Sequence, residues 1–502
     1  MSIRGKLILA LIVAAAQMLG GARSAPAQDT QGQTAQDANA QGQSGSAGTT
    51  TGSSGSNAGT GRSAPAAALS GIAGIQGSGT GVDVQDTSFE LPQIPALLGG
   101  QGRSMAFPAE QERSNYLRGG VSIGAAFDDN PLLLSPKESN TSESVFPNIA
   151  IEESTSRTRW TLAYAGGLTV NQKFTSQNQG AHNLNFDSLF RVSPHVNLRV
   201  AETFMMTEGY LEPNNGEPLV AGGGGANASL ITPLATQQAS TTTVEANYHF
   251  ALNDLMGASG SYYLLNFTNA PAGVVLSNTR TASGSGFWLH KLFHGDWGGL
   301  TYRFERITFD PIGETRAHTF FAMDTIDLGR GFGISAFAGP QYSDNQGLVT
   351  DASGNAQFTE SERWSAAVGV DAGWKNKRTS LAAGFSRGIS DGGGVLGAER
   401  LTTVYANVRR EIVPGWTAAL QGRYGTNATI TAASAGTATS IDLTSLEASV
   451  ERNLGKKLGC SFSYRHDFQQ QYGVSSVPGS LDNDRNRFAV TLSYQWAKPL
   501  GM

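Results

Sequence analysis

The segment Phe488-Ala489-Val490-Thr491-Leu492-Ser493-Tyr494-Gln495-Trp496 constrains this chain most. Phe488, Val490, Leu492, Tyr494 and Trp496 share one parity, and Ala489, Thr491, Ser493 and Gln495 share the other. Successive side chains of a strand point to opposite faces, so one face is apolar and ends in aromatics while the other is small and polar. A strand of this kind suits a wall with lipid on one side and water on the other.

The same alternation recurs from about Tyr116 onward. It is clear in Trp160-Leu162-Tyr164-Gly166-Leu168-Val170, in Val244-Ala246-Tyr248-Phe250, in Trp364-Ala366-Val368-Val370 and in Leu446-Ala448-Val450. Residues 280–293, 317–328 and 332–342 are less regular, because apolar residues fall on both parities. Short turns are expected near Arg157, Ser193-Pro194-His195, Asn253-Asp254, Gly295-Asp296, Gly329-Arg330-Gly331, Lys375-Asn376-Lys377, Pro414-Gly415 and Gly455-Lys456-Lys457. Between them lie longer polar stretches, among them 211–240, 347–360, 431–439 and 472–484. Short turns on one side and long loops on the other are the rule in outer-membrane barrels. The expectation is therefore an all-β fold, a transmembrane antiparallel β-barrel of about 18 strands, with both termini on the turn side. A soluble sandwich also alternates, but packing two sheets face to face does not accommodate so long an array. Trp160, Trp364, Trp374, Trp416 and Trp496, near strand ends, fit interfacial girdles.

Composition agrees. Only 15% of residues are charged and 63 are Gly, against about 25% charged and 7% Gly in soluble domains. The formal net charge of −5 gives no electrostatic basis for binding nucleic acid. Residues 1–27 read as a signal peptide: Arg4 and Lys6, an apolar run from Leu7 to Ala16, then Ala25-Pro26-Ala27 as a cleavage site. Residues 28–115 form a tail and linker, low in complexity as far as about Gly81, that cannot bury enough apolar surface to order itself. Residues 116–502 are assigned to the barrel. The single cysteine, Cys460, shares parity with Phe462 and Tyr464 and reads as a small lipid-facing or packing residue.

The water-facing parity carries Arg191, Arg199, Arg303, Arg409, Arg423 and Arg465, together with Asp187, Glu245, Glu305, Asp371, Glu447, Glu451 and Asp467. Arg191, Arg199, Glu245, Arg303, Glu305, Asp371, Arg423 and Arg465 are the candidate pore-lining residues. Two arrangements are open: opposite charges paired into a hydrated wall, or arginines forming a positive stripe that draws acidic solutes. Both signs are well mixed, which favours the paired wall and implies no strong ion selectivity. His466 and Asp467 are adjacent in a strand with Ser461 and Ser463, but neighbours on a strand face opposite ways and cannot form a simple dyad. No metal-ligand spacing or cofactor motif stands out among the 7 histidines and the rest of the chain, and no enzyme activity is expected. Asp482, Asp484 and Glu360 to Glu362 are placed at loop tips, where solvated loop residues are a better reading than contacts with divalent ions or lipopolysaccharide. Leu492→Arg is expected to block folding and Thr491→Arg to be tolerated.

Two stretches carry a family resemblance. Gly119-Gly120-Val121-Ser122-Ile123-Gly124-Ala125-Ala126-Phe127-Asp128-Asp129-Asn130 resembles the opening strand of outer-membrane β-barrel porins of Gram-negative bacteria, several of which are associated with exopolysaccharide or capsule export. Leu492-Ser493-Tyr494-Gln495-Trp496 is similar to the closing strand recognised by the barrel-assembly machinery, although Ala497 to Met502 follow the terminal aromatic. The resemblance implies an outer-membrane channel for hydrophilic solutes, with a link to exopolysaccharide secretion. A non-conducting, surface-presenting barrel is the alternative. The implied partners are outer-membrane lipid, lipopolysaccharide, the barrel-assembly machinery and polysaccharide-export components.

Overall fold

The computed structural model describes residues 115–500 apart from 132–136, 175–177, 210–234, 269–275, 294–295, 311–312, 330, 351–355, 393–396, 431–439, 456 and 473–482. The expected signal peptide and nearly all of the tail lie outside the described residues. Eighteen strands run in order: β1 Tyr116–Asp128, β2 Asn140–Ser154, β3 Thr158–Asn171, β4 Gln179–Arg191, β5 Val196–Gly209, β6 Ala235–Ala251, β7 Asp254–Thr268, β8 Asn278–Phe293 and β9 Asp296–Asp310. The second half comprises β10 Gly313–Gly329, β11 Phe332–Thr350, β12 Ala356–Lys375, β13 Thr379–Ser390, β14 Glu399–Val413, β15 Trp416–Thr429, β16 Ser440–Asn453, β17 Leu458–Tyr472 and β18 Asn483–Pro499.

Each strand pairs antiparallel with its neighbours in sequence, and β1 pairs with β18 from Tyr116 opposite Pro499 to Asp128 opposite Arg487. The sheet therefore closes, and no backbone edge is left without a partner. Strands of 12 to 20 residues exceed the roughly 9–11 needed to cross a bilayer, so several continue past it. All eight expected turns join consecutive strands. At the turn between β10 and β11, Gly329 and Gly331 both take the left-handed conformation (φ 74° and 77°) that favours glycine.

Large apolar side chains point outward. Ile123, Phe127, Leu300, Phe320, Leu420, Phe462, Val490 and Leu492 are all exposed, and each lies on the parity opposite the buried polar residues of its strand, Asp296 at the turn end of β9 excepted. Against Leu492 at 44% exposure, its neighbours Thr491 and Ser493 are at 4% and 5%.

Two stretches expected to be loop are strand. Residues 235–240 begin β6, and residues 347–350 and 356–360 extend the β11–β12 hairpin, leaving a connection of five residues. Glu360 and Glu362 accordingly stand on the outer face of β12, and Asp484 near the start of β18, not at loop tips; Asp482 lies outside the described residues. The loop side also holds one very short connection, residues 311–312 between β9 and β10.

The less regular strands have a physical cause. Inward-facing Leu255, Phe287, Leu289, Trp297, Phe321, Met323, Phe337 and Ala367 form one buried apolar cluster on β7–β12. The wall there is apolar on both faces, so the period-two contrast disappears.

Candidate functional site: the polar inner wall

Short contacts along or between strands hold many of the inward charges. Arg199 of β5 binds Asp187 of β4 through Nη2 at 2.5 Å, and directly opposes Glu245 of β6. Glu245 in turn accepts a hydrogen bond from Asn247 Nδ2 at 3.1 Å. Arg303 and Glu305, two residues apart on β9, approach to 3.5 Å. Arg465 reaches Asp467 at 2.7 Å on β17, and Arg409 of β14 spans β15 to meet Glu451 of β16 at 2.8 Å. Gln421 donates to Glu447 at 3.2 Å. Burying such charges singly would be costly, whereas pairing offsets much of their desolvation.

The candidate residues fall into three settings. Arg199, Glu245, Arg303, Glu305 and Arg465 are buried in the inner wall. Asp371 and Arg423 are half-buried there, Asp371 receiving the Tyr405 hydroxyl at 2.6 Å rather than a cation. Arg191 is exposed at the turn end of β4. Paired charges thus dominate the wall; a continuous positive stripe does not form among the described residues.

A glycine makes the Tyr405–Asp371 contact possible. Gly384 of β13 lies between Asp371 and Tyr405 in register, and a Cβ there would collide with the Asp371 carboxylate and the Tyr405 ring. The same device recurs where Phe337 opposes Gly369 and Phe287 opposes Gly257, each ring covering the space a side chain would fill. Aromatic rings over facing glycines restore packing that glycine alone would lose.

Accessibility differs along the lumen. On the turn side of β14–β17, Asn407, Arg409, Gln421, Arg423, Glu447, Ser449, Glu451, Ser461 and Ser463 remain partly accessible, as do Thr161, Ala163 and Ala165 of β3. Toward the loop side the inner wall is buried: Leu401, Asn427, Ile441 and Leu443 are at most 2% exposed. Ile307, Phe309, Ala317, Ile389, Ala398 and Ile430 gather into one apolar cluster, which joins β9–β10 to β13–β15 although these strands are not neighbours. The lumen is thus accessible and polar toward the turns and closely packed toward the loops, where the apolar cluster lies among buried polar residues such as Asn345, Glu399, Gln469 and Arg485.

The expected separation of His466 and Asp467 holds. Asp467 is buried inside with Arg465, whereas His466 faces outward and contacts Asn486 at 3.0 Å. Parity alone does not reveal the packed loop-side wall. Its signal was present as Ile307, Phe309, Ile441 and Leu443 on the polar parity of otherwise regular strands.

No protein-family model matches the chain, and no curated protein sequence matches it. Among solved structures, the chain is similar to the ferric citrate transporter FecA in its unliganded form, at 11% identity over 78% of this chain and 80% of that one, with a TM-score of 0.43. It is also similar to OpdK of Pseudomonas aeruginosa, at 10% identity over 76% and 99% with a TM-score of 0.39. OccK2 (OpdF) of Pseudomonas aeruginosa matches at 12% identity over 76% and 98%, again with a TM-score of 0.39. These likenesses are shallow; the fold stands on the strand pairing itself.

Proposed function

We propose that this chain is an outer-membrane channel for hydrophilic solutes, entered on its turn side, where the lumen is accessible and polar, and closely packed on its loop side. The observation that carries this is the closed wall with ion-paired polar residues inside and large apolar residues outside. A bilayer accepts such a wall only with its apolar face toward lipid, and the interior then holds water. Mixed, mutually paired charge supports passage of small polar solutes with weak preference between anions and cations.

The packed loop side favours a second reading, a barrel that stays closed until a loop moves or a partner binds. A role in exopolysaccharide export has support only from the opening-strand resemblance; Asp128, Asp129 and Asn130 of that motif serve the barrel seam, a role that carries no information about solute. Planar-bilayer recording of the refolded mature protein separates the two. Steady, weakly selective single-channel current is the expected result. Silence from correctly folded protein would refute the open channel and leave the closed barrel.

A further inference from the structure

On the outer face of β9–β12, directly opposed residues form rows whose chemistry changes with height. Leu300, Ala322, Ala338 and Val368 make an apolar row. Two rows toward the loops come Phe304, His318, Tyr342 and Trp364, with Tyr342 and Trp364 rings 5.2 Å apart and Trp364 exposed at 69%. Aromatic and imidazole side chains at one level mark the boundary between hydrocarbon and headgroups. The next row is charged: Arg306, Arg316, Asp344 and Glu362.

Arg306 and Arg316 face each other across β9 and β10, which by itself is unfavourable. One carboxylate holds them together: Glu314 takes Arg306 Nη2 at 2.5 Å and Arg316 Nε at 2.6 Å. Their side chains are nevertheless 54% and 47% exposed. A guanidinium carries five N–H donors, so each retains donors beyond Glu314. Arg280 of β8 is exposed on the same face, opposite Thr308, which in turn opposes Glu314. Arg306 and Arg316 thus share one carboxylate at headgroup depth, with Arg280 beyond Thr308 on the same face and the exposed Asp310 one row further toward the loops. Asp344 and Glu362, continuing the charged row, bound the basic patch on its β11 side.

We propose that Arg280, Arg306 and Arg316 form a phosphate-binding site on the outer wall for the phosphorylated glycolipid headgroup of the outer leaflet. Forked guanidiniums suit phosphate oxygens geometrically, and the donors left over from Glu314 supply the contact. The site rests on the reading of the loop side as the outer surface.

Native mass spectrometry of the detergent-folded full barrel with diphosphorylated lipid A tests it. The unsubstituted protein is expected to bind this lipid, and to bind the phosphate-stripped lipid about tenfold more weakly. R306Q/R316Q is expected to lose that discrimination while keeping heat-modifiable migration in gels. Glu314→Gln, which frees both guanidiniums, is expected to bind the phosphorylated lipid at least as tightly as the unsubstituted protein; this variant decides the matter should the double variant misfold. Equal binding with and without phosphate, or equal binding by the double variant, would overturn the site. Binding of phosphatidylglycerol as tight as that of lipid A would overturn its assignment to the glycolipid. Lipid binding is read independently of conductance, so a silent channel with intact lipid A discrimination would fail the channel proposal and leave this one standing.

Discussion

At the scale of single residues, the facing of Leu492 and its neighbours decides whether the wall can sit in lipid. Leu492→Arg puts a charge on the apolar face, at a cost of about 2–4 kcal/mol near the midplane, and is expected to abolish the heat-modifiable folded band. The inward control must be chosen with care. Thr491 is only 4% exposed and opposes Gly124 and Ser461 in a filled part of the wall, so Thr491→Arg overpacks it and the tolerance expected from parity alone does not hold. Ser449, half-buried between Glu447 and Glu451 on the accessible side of β16, offers room and two carboxylates. Ser449→Arg is expected to fold normally; equal loss at Leu492 and Ser449 would contradict the facing. Beyond the strand, burial works to raise the Asp129 pKa, but hydrogen bonds from the Asn486 N–H and side chain and the charge of Lys137 outweigh it and hold the carboxyl below its ordinary 3.8. A lowered folded pKa contributes stability above about pH 4 that is lost as pH falls through the folded value. Unfolding midpoints in urea measured between pH 6 and pH 3 should therefore fall less steeply for Asp129→Asn than for the unsubstituted protein; parallel curves would remove this contribution.

Strand by strand, glycine placement and strand length explain most of what sequence alone left open. Gly384→Val drives a side chain into the Tyr405–Asp371 contact and is expected to cost about 1–3 kcal/mol by overpacking, read as a lower urea midpoint in lipid vesicles. An unchanged midpoint would mean that Tyr405 does not lie across β13. Alternation was legible wherever a strand has lipid on one face and polar neighbours on the other, as in Phe488 to Trp496 or Leu446 to Val450. It failed at residues 235–240, which carry polar residues on both faces, and at the strand ends 347–350 and 356–360. Strand extensions beyond the membrane have no lipid to select an apolar parity. It also failed on β8, β10 and β11, where Phe287, Phe321 and Phe337 face inward. Charged candidates on the inner face could be found by parity, whereas their pairings could not. Arg409 meets Glu451 diagonally across β15, past the small Ala419 that it directly opposes and Thr417 that opposes Glu451.

Across the whole molecule, everything depends on closure, and the seam between β1 and β18 is where closure is made. At its loop end Asp128 binds the buried Arg485, Asp129 accepts the Asn486 N–H at 2.7 Å, and Asn130 donates to the Asp484 carbonyl at 3.3 Å. The acidic pair and Asn at the end of the opening strand thus clamp the first strand to the last. Lys137 ties the following loop to Asp484 at 2.9 Å, and Tyr464 donates to Asn486 at 2.8 Å. The measurement that tests the closed wall most directly is cysteine cross-linking across this seam, in protein assembled in membranes and carrying Cys460→Ser. Ser122→Cys combined with Ser493→Cys, directly opposed in register, is expected to yield an intramolecular disulfide. Ser122→Cys with Ala489→Cys, offset along the same face, is expected to yield none. Cross-linking absent from the first pair, or equally efficient in both, would contradict a barrel closed by β1 on β18.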